Sequence, residues 1–309
     1  MKGIELSKAF YEQIGRPMLE QRFSSCLDRI AVGLVGQGSE CFGYDDSIST
    51  DHDYGPGFCI WLTDSDAARF GDSLSEMYRA LNKEFAGYRL NLKSFGAEKR
   101  HGVFTIQEFY QGLIGLPGAP ESWRQWFYLP AYALSTAVNG QVFVDPVGEF
   151  SAVRSILQKG YPRDVKLKKL SAHLALMAQS GQYNFDRCLK HGELGAAKMA
   201  IFEFVSNGLK ALFILHNRYA PFYKWQFRAL SEIPSYLGLK QDLERLLQTN
   251  DEIECRRLVD KICAQIVELL KYHGLTAVDE LYLERQAIAV LEQIRDPEIR
   301  QLHLMESGE

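Results

Sequence analysis

Hydrophobic positions along this 309-residue chain follow two rhythms, and the change falls near residue 150. Before it, short apolar runs alternate with stretches of helical period. Arg29 to Gly36 (RIAVGLVG) and Gly57 to Leu62 (GFCIWL) are continuous apolar runs of strand length, which suits strands buried on both faces. Residues 89–95, 103–106 and 141–144 are further strand candidates. Residues 4–23 and 64–86 carry helical spacing, the second with Asp64 or Ser65 placed to cap it. Gly115 to Pro120 holds two glycines and two prolines and predicts a turn.

After Phe150 the pattern is helical almost throughout, over 164–180, 193–217, 276–294 and a run opened by Thr249-Asn250-Asp251-Glu252. That tetrapeptide has the spacing of a capping box. Leu258, Val259, Ile262, Ile266, Leu269 and Leu270 then share one face, and Gly274 stands where a C-terminal cap belongs. The pattern predicts an α+β protein: a small mixed-sheet domain over residues 1–155, followed by an all-α helical bundle domain over 156–309.

Composition narrows the function classes. Hydrophobic residues make up 46% and charged residues 24%, ordinary for a soluble protein with a sizeable core. The net charge of −4 lacks the basic signature of a large nucleic-acid footprint. Cys26, Cys41, Cys59, Cys188, Cys255 and Cys263 form no C-x-x-C pair and no zinc-finger spacing, which fits a reducing compartment. Met1-Lys2-Gly3-Ile4-Glu5 opens no apolar signal, and no run approaches the ~20 apolar residues of a membrane span. The expectation is a cytoplasmic protein without a membrane partner.

Chemistry concentrates between Val35 and Leu62 (VGQGSECFGYDDSISTDHDYGPGFCIWL). Gly38-Ser39 follows a predicted strand, and after eleven intervening residues comes Asp51-His52-Asp53, ahead of the next strand. On an extended backbone, carboxylates at i and i+2 point to one side. Two such groups can share a hard divalent cation such as Mg2+ or Mn2+. A Gly-Ser turn supplies backbone N–H groups, a hydroxyl and room for a phosphate, and a helix starting near Ser39 would favour the same anion. Either motif alone is commoner as a solvated turn; the strand–turn–strand order favours function.

Gly38-Ser39, the eleven-residue spacing and Asp51-His52-Asp53-Tyr54 resemble the signature of the DNA polymerase β-like nucleotidyltransferase superfamily. GSECFGYDD and SxDHDYGPxFCIWL, with HGVFTIQEFY, QVFVDPVGEFSAVR, YPRDVKLKKLSAHL and NRYAPFYKW, resemble more narrowly the nucleotidyltransferase-like family DUF4037, over roughly Arg29 to Trp225. The resemblance implies metal held by Asp51 and Asp53, and a helical domain closing a cleft over nucleotide and acceptor. It also matches Glu40, a candidate to tune the metal or orient the acceptor. The superfamily carries a third carboxylate on a later strand; here that place reads His101-Gly102-Val103-Phe104-Thr105, and Glu108 and Asp145 match it poorly.

Rival motifs fall away. His52-Asp53 lacks the upstream histidine of a phosphohydrolase dyad, Gly36, Gly38 and Gly43 do not make G-x-G-x-x-G, and no Gly-Lys pair exists for a P-loop. In the helical half, Lys198, Lys210 and Lys224 could meet phosphates, with Lys198 and Lys224 favoured. Tyr219, Tyr223 and Trp225 could stack on a base, although such aromatics more often fill a core. Asp45-Asp46 and the Lys166, Lys168, Lys169 cluster read as solvated surface.

The sequence therefore predicts a metal-dependent nucleotidyltransferase. Gly38, Ser39, Glu40, Lys198 and Lys224 would bind the nucleoside triphosphate, Asp51 and Asp53 would hold the metal, and a small molecule would be the acceptor. The alternative is a non-catalytic nucleotide-binding module, regulatory or part of a toxin–antitoxin pair. The helical half has apolar surface enough for a homo-oligomer, though the same residues would serve as its own core.

Overall fold

The computed structural model describes residues 1–51, 53–93, 96 and 100–309, with only the backbone of Asp51. The chain forms two compact units: Met1–Pro120 with Ala133–Lys159, and Glu121–Tyr132 with Gly160–Glu309. Among the described residues, no helix is long and apolar enough to cross a membrane.

The first unit is built on a four-stranded mixed sheet. Its strands are β1 (Ala31–Leu34), β2 (Cys59–Leu62), β5 (Gly102–Thr105) and β6 (Gln141–Val144), in the order β5-β2-β1-β6. Between β2 and β5 lies a separate hairpin of β3 (Glu84–Phe85) and β4 (Tyr88–Arg89). β1 runs antiparallel to both neighbours, and β2 runs parallel to β5. The end of β1 and the starts of β2, β5 and β6 therefore share one edge of the sheet.

Every residue of β1 and β2 is buried, as their unbroken apolar runs predict. Ile60 and Leu62 face a core with Phe10, Leu19, Leu74 and Met77, from the segment Gly3–Arg22 and the helix Asp72–Ala80. Trp61, on the opposite face, stacks on Phe150 at 3.8 Å and meets Phe109 edge-on. Helices thus cover both faces.

Several boundaries moved. The second helical stretch is capped by Thr63, whose hydroxyl accepts from the Asp66 N–H, because Thr63 is the last extended residue after β2. It ends at Ala80 instead of 86, where the chain turns into the hairpin. The strand expected over 89–95 reduces to Tyr88–Arg89 and one bridge from Asn91 to Tyr54; Ser94 and Phe95 lie outside the described residues. The helices Ile106–Ile114, Trp123–Tyr128 and Ala131–Val138 were not anticipated.

The second unit is all helical. Arg163–Met177 lies against Leu194–Leu215 and Leu283–Glu292, with Glu252–Tyr272 beside Leu237–Gln248. Asp251, not Thr249, caps Glu252–Tyr272, accepting from the N–H groups of Ile253 and Glu254. Gly274 takes the left-handed conformation (φ 66°) just past that helix, as its position predicts. Residues 276–282 are not helical, so the following helix starts at Leu283.

Arg163–Met177 corrects the reading of its lysines. Lys168 and Lys169 are fully buried, and Lys166 is half-buried, instead of forming a solvated face. The helix is surrounded on all sides, and carbonyls from residues 304–307 satisfy the two buried ammonium groups.

Candidate nucleotide site in the α/β unit

The Gly-Ser turn leaves the sheet at the end of β1. Its first residue, Gly36, is held by Asn139, whose side-chain amide accepts from the Gly36 N–H (2.9 Å) and donates to its carbonyl (2.7 Å). Two residues on, Gly38 has φ 124°, a conformation that side chains rarely adopt. A Cβ on Gly38 would run into the guanidinium of Arg100 and the carboxylate of Glu40. The Arg100–Glu40 ion pair therefore packs directly against the turn at Gly38.

Arg100, just ahead of β5, organises the site. Its Nη2 pairs with Glu40 Oε1 at 2.5 Å, and its Nε and Nη2 both donate to the Gln37 carbonyl. Its Nη1 donates to the Asp53 carbonyl at 3.0 Å and lies 3.7 Å from Asp53 Oδ2. All three side chains are largely withdrawn from solvent, with 12% of Arg100 and 8% each of Glu40 and Asp53 exposed. Burial pushes the Glu40 carboxyl above its ordinary value, and Arg100 pulls it partly back. The two halves of the motif, Gly38-Ser39-Glu40 and Asp53, thus meet on one guanidinium.

The backbone departs from the expected geometry at the aspartates. Asp51 closes a short 3-10 turn, Ser49–Asp51, and Asp53 takes the left-handed conformation with φ 51°. The i, i+2 rule for extended chains therefore does not apply; His52 and the Asp51 side chain lie outside the described residues. The helix envisaged at Ser39 is a single 3-10 turn, Glu40–Phe42, too short to carry a macrodipole. Asp46 caps an exposed turn, as expected, but Asp45 is buried and accepts from the Gly3 N–H at 2.9 Å.

The other acids considered serve locally. Glu108 completes a capping box with Thr105, and Asp145 accepts from the N–H groups of Gly148 and Ser151. The charged residue that the fold does bring against Glu40 and Asp53 is a cation, Arg100. The signal for it in the sequence is the basic triplet Lys99-Arg100-His101. His101 is buried beside it, and desolvation, with Arg100 and Lys83 adding, pushes its pKa down to about 3. It is neutral at physiological pH, and its Nδ1 has no partner among the described residues.

Asp53 keeps features suited to a metal ligand. Its Oδ1 accepts from the Lys93 N–H at 2.7 Å, which fixes the carboxylate's orientation, as supporting bonds to ligating groups do. Its Oδ2 sits at an ion-pair distance from Arg100, beyond hydrogen-bond range. Among the described residues, no three His, Cys, Asp or Glu side chains gather as a metal shell. The described side chains thus fit a site in which Asp53 contributes one oriented oxygen.

The remaining candidates lie on the helical unit. Lys198 Nζ donates to the Thr249 carbonyl (3.1 Å) and to Asn250 Oδ1 (2.7 Å), tying two helices together. Lys224 is exposed, with its ammonium 4.9 Å above the Trp225 ring. Tyr219 is buried edge-on against Tyr161, Tyr223 is exposed, and Lys210 pairs with Glu309.

Comparison with known proteins gives a family match over part of the chain. Residues 126–226 match the model of the family described as a domain of unknown function, DUF4037. No curated protein matches the chain. A crystal structure of a nucleotidyltransferase-like protein from Exiguobacterium sibiricum aligns over 92% of this chain and 89% of its own, at 10% identity and a TM-score of 0.34.

Proposed function

We propose that the α/β unit carries a nucleotidyltransferase-type site that binds a nucleoside triphosphate at Gly38-Ser39. The convergence of Gly38-Ser39-Glu40 and Asp53 on Arg100, at the edge where β1 ends and β2 and β5 begin, carries this reading. Backbone N–H groups of the turn and the Ser39 hydroxyl receive the phosphates. Asp51 and Asp53 are the residues that would hold a magnesium or manganese ion, which neutralises charge on the triphosphate and the attacking oxygen.

In the reaction, an acceptor hydroxyl forms a bond to the α-phosphorus and the bond to the bridging oxygen breaks, so that pyrophosphate leaves. The hydroxyl proton passes to a base not assigned among these residues. The acceptor is a small hydroxylated molecule, since a net charge of −4 disfavours RNA.

A specific observation favours a second reading. His101 to Thr105, where a third carboxylate is expected, holds no acid, and Arg100 engages both Glu40 and Asp53, an arrangement suited to binding without turnover. On that reading the unit is a nucleotide-binding regulatory module.

Thermal-shift measurements with each of four nucleoside triphosphates, with and without magnesium, test the first reading on wild type and Asp53→Asn. A ligand that binds only the folded chain raises the midpoint by mass action. A magnesium-dependent rise that disappears in Asp53→Asn is the expected result. A nucleotide shift indifferent to both magnesium and Asp53 would instead establish the non-catalytic reading, as would binding without pyrophosphate release from any acceptor.

A further inference from the structure

The helical unit buries a cationic cluster outside the proposed nucleotide site, and residues 304–309 fill it. Lys168 Nζ donates to the carbonyls of Leu304 (3.2 Å) and Glu306 (2.6 Å). Lys169 Nζ donates to the Ser307 carbonyl (2.9 Å) and reaches Glu309 Oε1 at 3.5 Å. Lys210 Nζ pairs with Glu309 Oε2 at 3.0 Å. The Lys169 ammonium also lies 5.3 Å above the Phe127 and Tyr161 rings. Gly308 threads so closely past Phe127 that a Cβ would strike the Phe127 carbonyl.

This is costly architecture for a core that only needs to pack. Fully buried ammonium groups are rare, and apolar side chains in their place often serve stability as well or better. Two further polar atoms beside Glu309 have no hydrogen-bond partner among the described residues: the buried Tyr161 hydroxyl and Nε2 of the buried His173. His173 Nδ1 is already engaged with Asn207 Oδ1 at 2.8 Å. The neutral His173 ring keeps only an acceptor at Nε2, whereas the Tyr161 hydroxyl is a buried donor that the Glu309 carboxylate leaves unused. With the Glu309 side chain withdrawn, Lys169 and Lys210 lose the carboxylate they share, and Glu306 remains beside Lys168. A phosphate dianion, carrying close to two negative charges, neutralises the Lys169 and Lys210 ammonium groups.

We propose that Lys168, Lys169, Lys210 and Tyr161 form a binding site for a phosphate dianion, and that Glu309 occupies it as an internal competitor. Burial holds Lys168 and Lys169 near pKa 8, so both are mainly cationic at neutral pH. The segment 304–309 is then a displaceable plug: the ligand takes over the salt bridges of Glu309 and frees its side chain. This inference does not depend on the nucleotide site.

The test is calorimetric titration of the full chain with inorganic phosphate in magnesium-free buffer, comparing wild type with Glu309→Gln. Removing the competing carboxylate while keeping its shape is expected to tighten phosphate binding about tenfold. The gain is expected to vanish in the double variant Glu309→Gln/Lys210→Met. A parallel titration with phenyl phosphate separates the two sources, tighter binding of the ester marking a phosphate monoester as the ligand. An unchanged phosphate affinity in folded Glu309→Gln overturns the proposal, as does a gain that survives Lys210→Met. If Glu309→Gln does not fold, Glu309→Asp, which keeps the charge and shortens its reach, carries the same comparison.

Discussion

Replacing Arg100 with leucine removes the group on which the candidate site converges. Glu40 then loses its counter-ion, and the carbonyls of Gln37 and Asp53 lose their donors. Breaking a buried ion pair from one side costs roughly 3–5 kcal/mol, because the remaining charge stays desolvated. For a unit of this size that lowers the midpoint by about 10 °C. The loss depends on pH through Glu40, whose folded-state pKa is already above the ordinary 4.5 and rises further without Arg100. A carboxyl with a raised folded pKa contributes stability below its unfolded pKa, and that contribution is lost as pH rises through the folded value. The variant's Glu40 therefore costs least at low pH, where protonation removes the need for a partner, and most at high pH, where it is a buried, unpaired carboxylate. Denaturant melts at pH 5 and pH 8, monitored by circular dichroism, measure the difference. A loss below about 1 kcal/mol, or one equal at pH 5 and pH 8, would refute the reasoning.

Further outcomes follow from the same geometry. Gly38→Ala forces a side chain into a left-handed conformation against the Arg100–Glu40 pair and should cost about 2–4 kcal/mol in chemical denaturation; a neutral effect would mean that the turn rearranges freely. Asp53→Asn should abolish the magnesium-dependent nucleotide shift yet melt within about 1 kcal/mol of wild type, since asparagine tolerates φ 51° where alanine does not. Raising the pH from 8 to 9.5 should raise the melting temperature of the helical unit by roughly 2–5 °C. Lys168 and Lys169, held near pKa 8 when folded, lose protons there that the unfolded chain keeps to about 10.5. The Lys168→Met/Lys169→Met variant should lack that slope, and a slope that persisted would place its origin elsewhere.

The local record in the sequence was most reliable where one physical rule dominates. Continuous apolar runs became β1 and β2 because both faces of these strands are covered by helices. Gly274 ended its helix because only a left-handed residue closes it cheaply. Gly38-Ser39 and Asp53 stood out as a motif, and the fold does bring Gly38, Glu40 and Asp53 to one guanidinium.

What tertiary structure alone decided concerns charge. The fate of a lysine or an arginine depends on what covers it, and its cover comes from distant sequence. Lys168 and Lys169 look solvated until residues 304–309, more than 130 positions away, supply carbonyls and a carboxylate. Arg100 looks like part of a basic loop until the pairing of β2 with β5 sets it between Glu40 and Asp53, 60 and 47 positions away. A periodic pattern encodes which way a side chain points within its own element. Whether a charge there meets water or a buried counter-ion is fixed only when remote segments close over it.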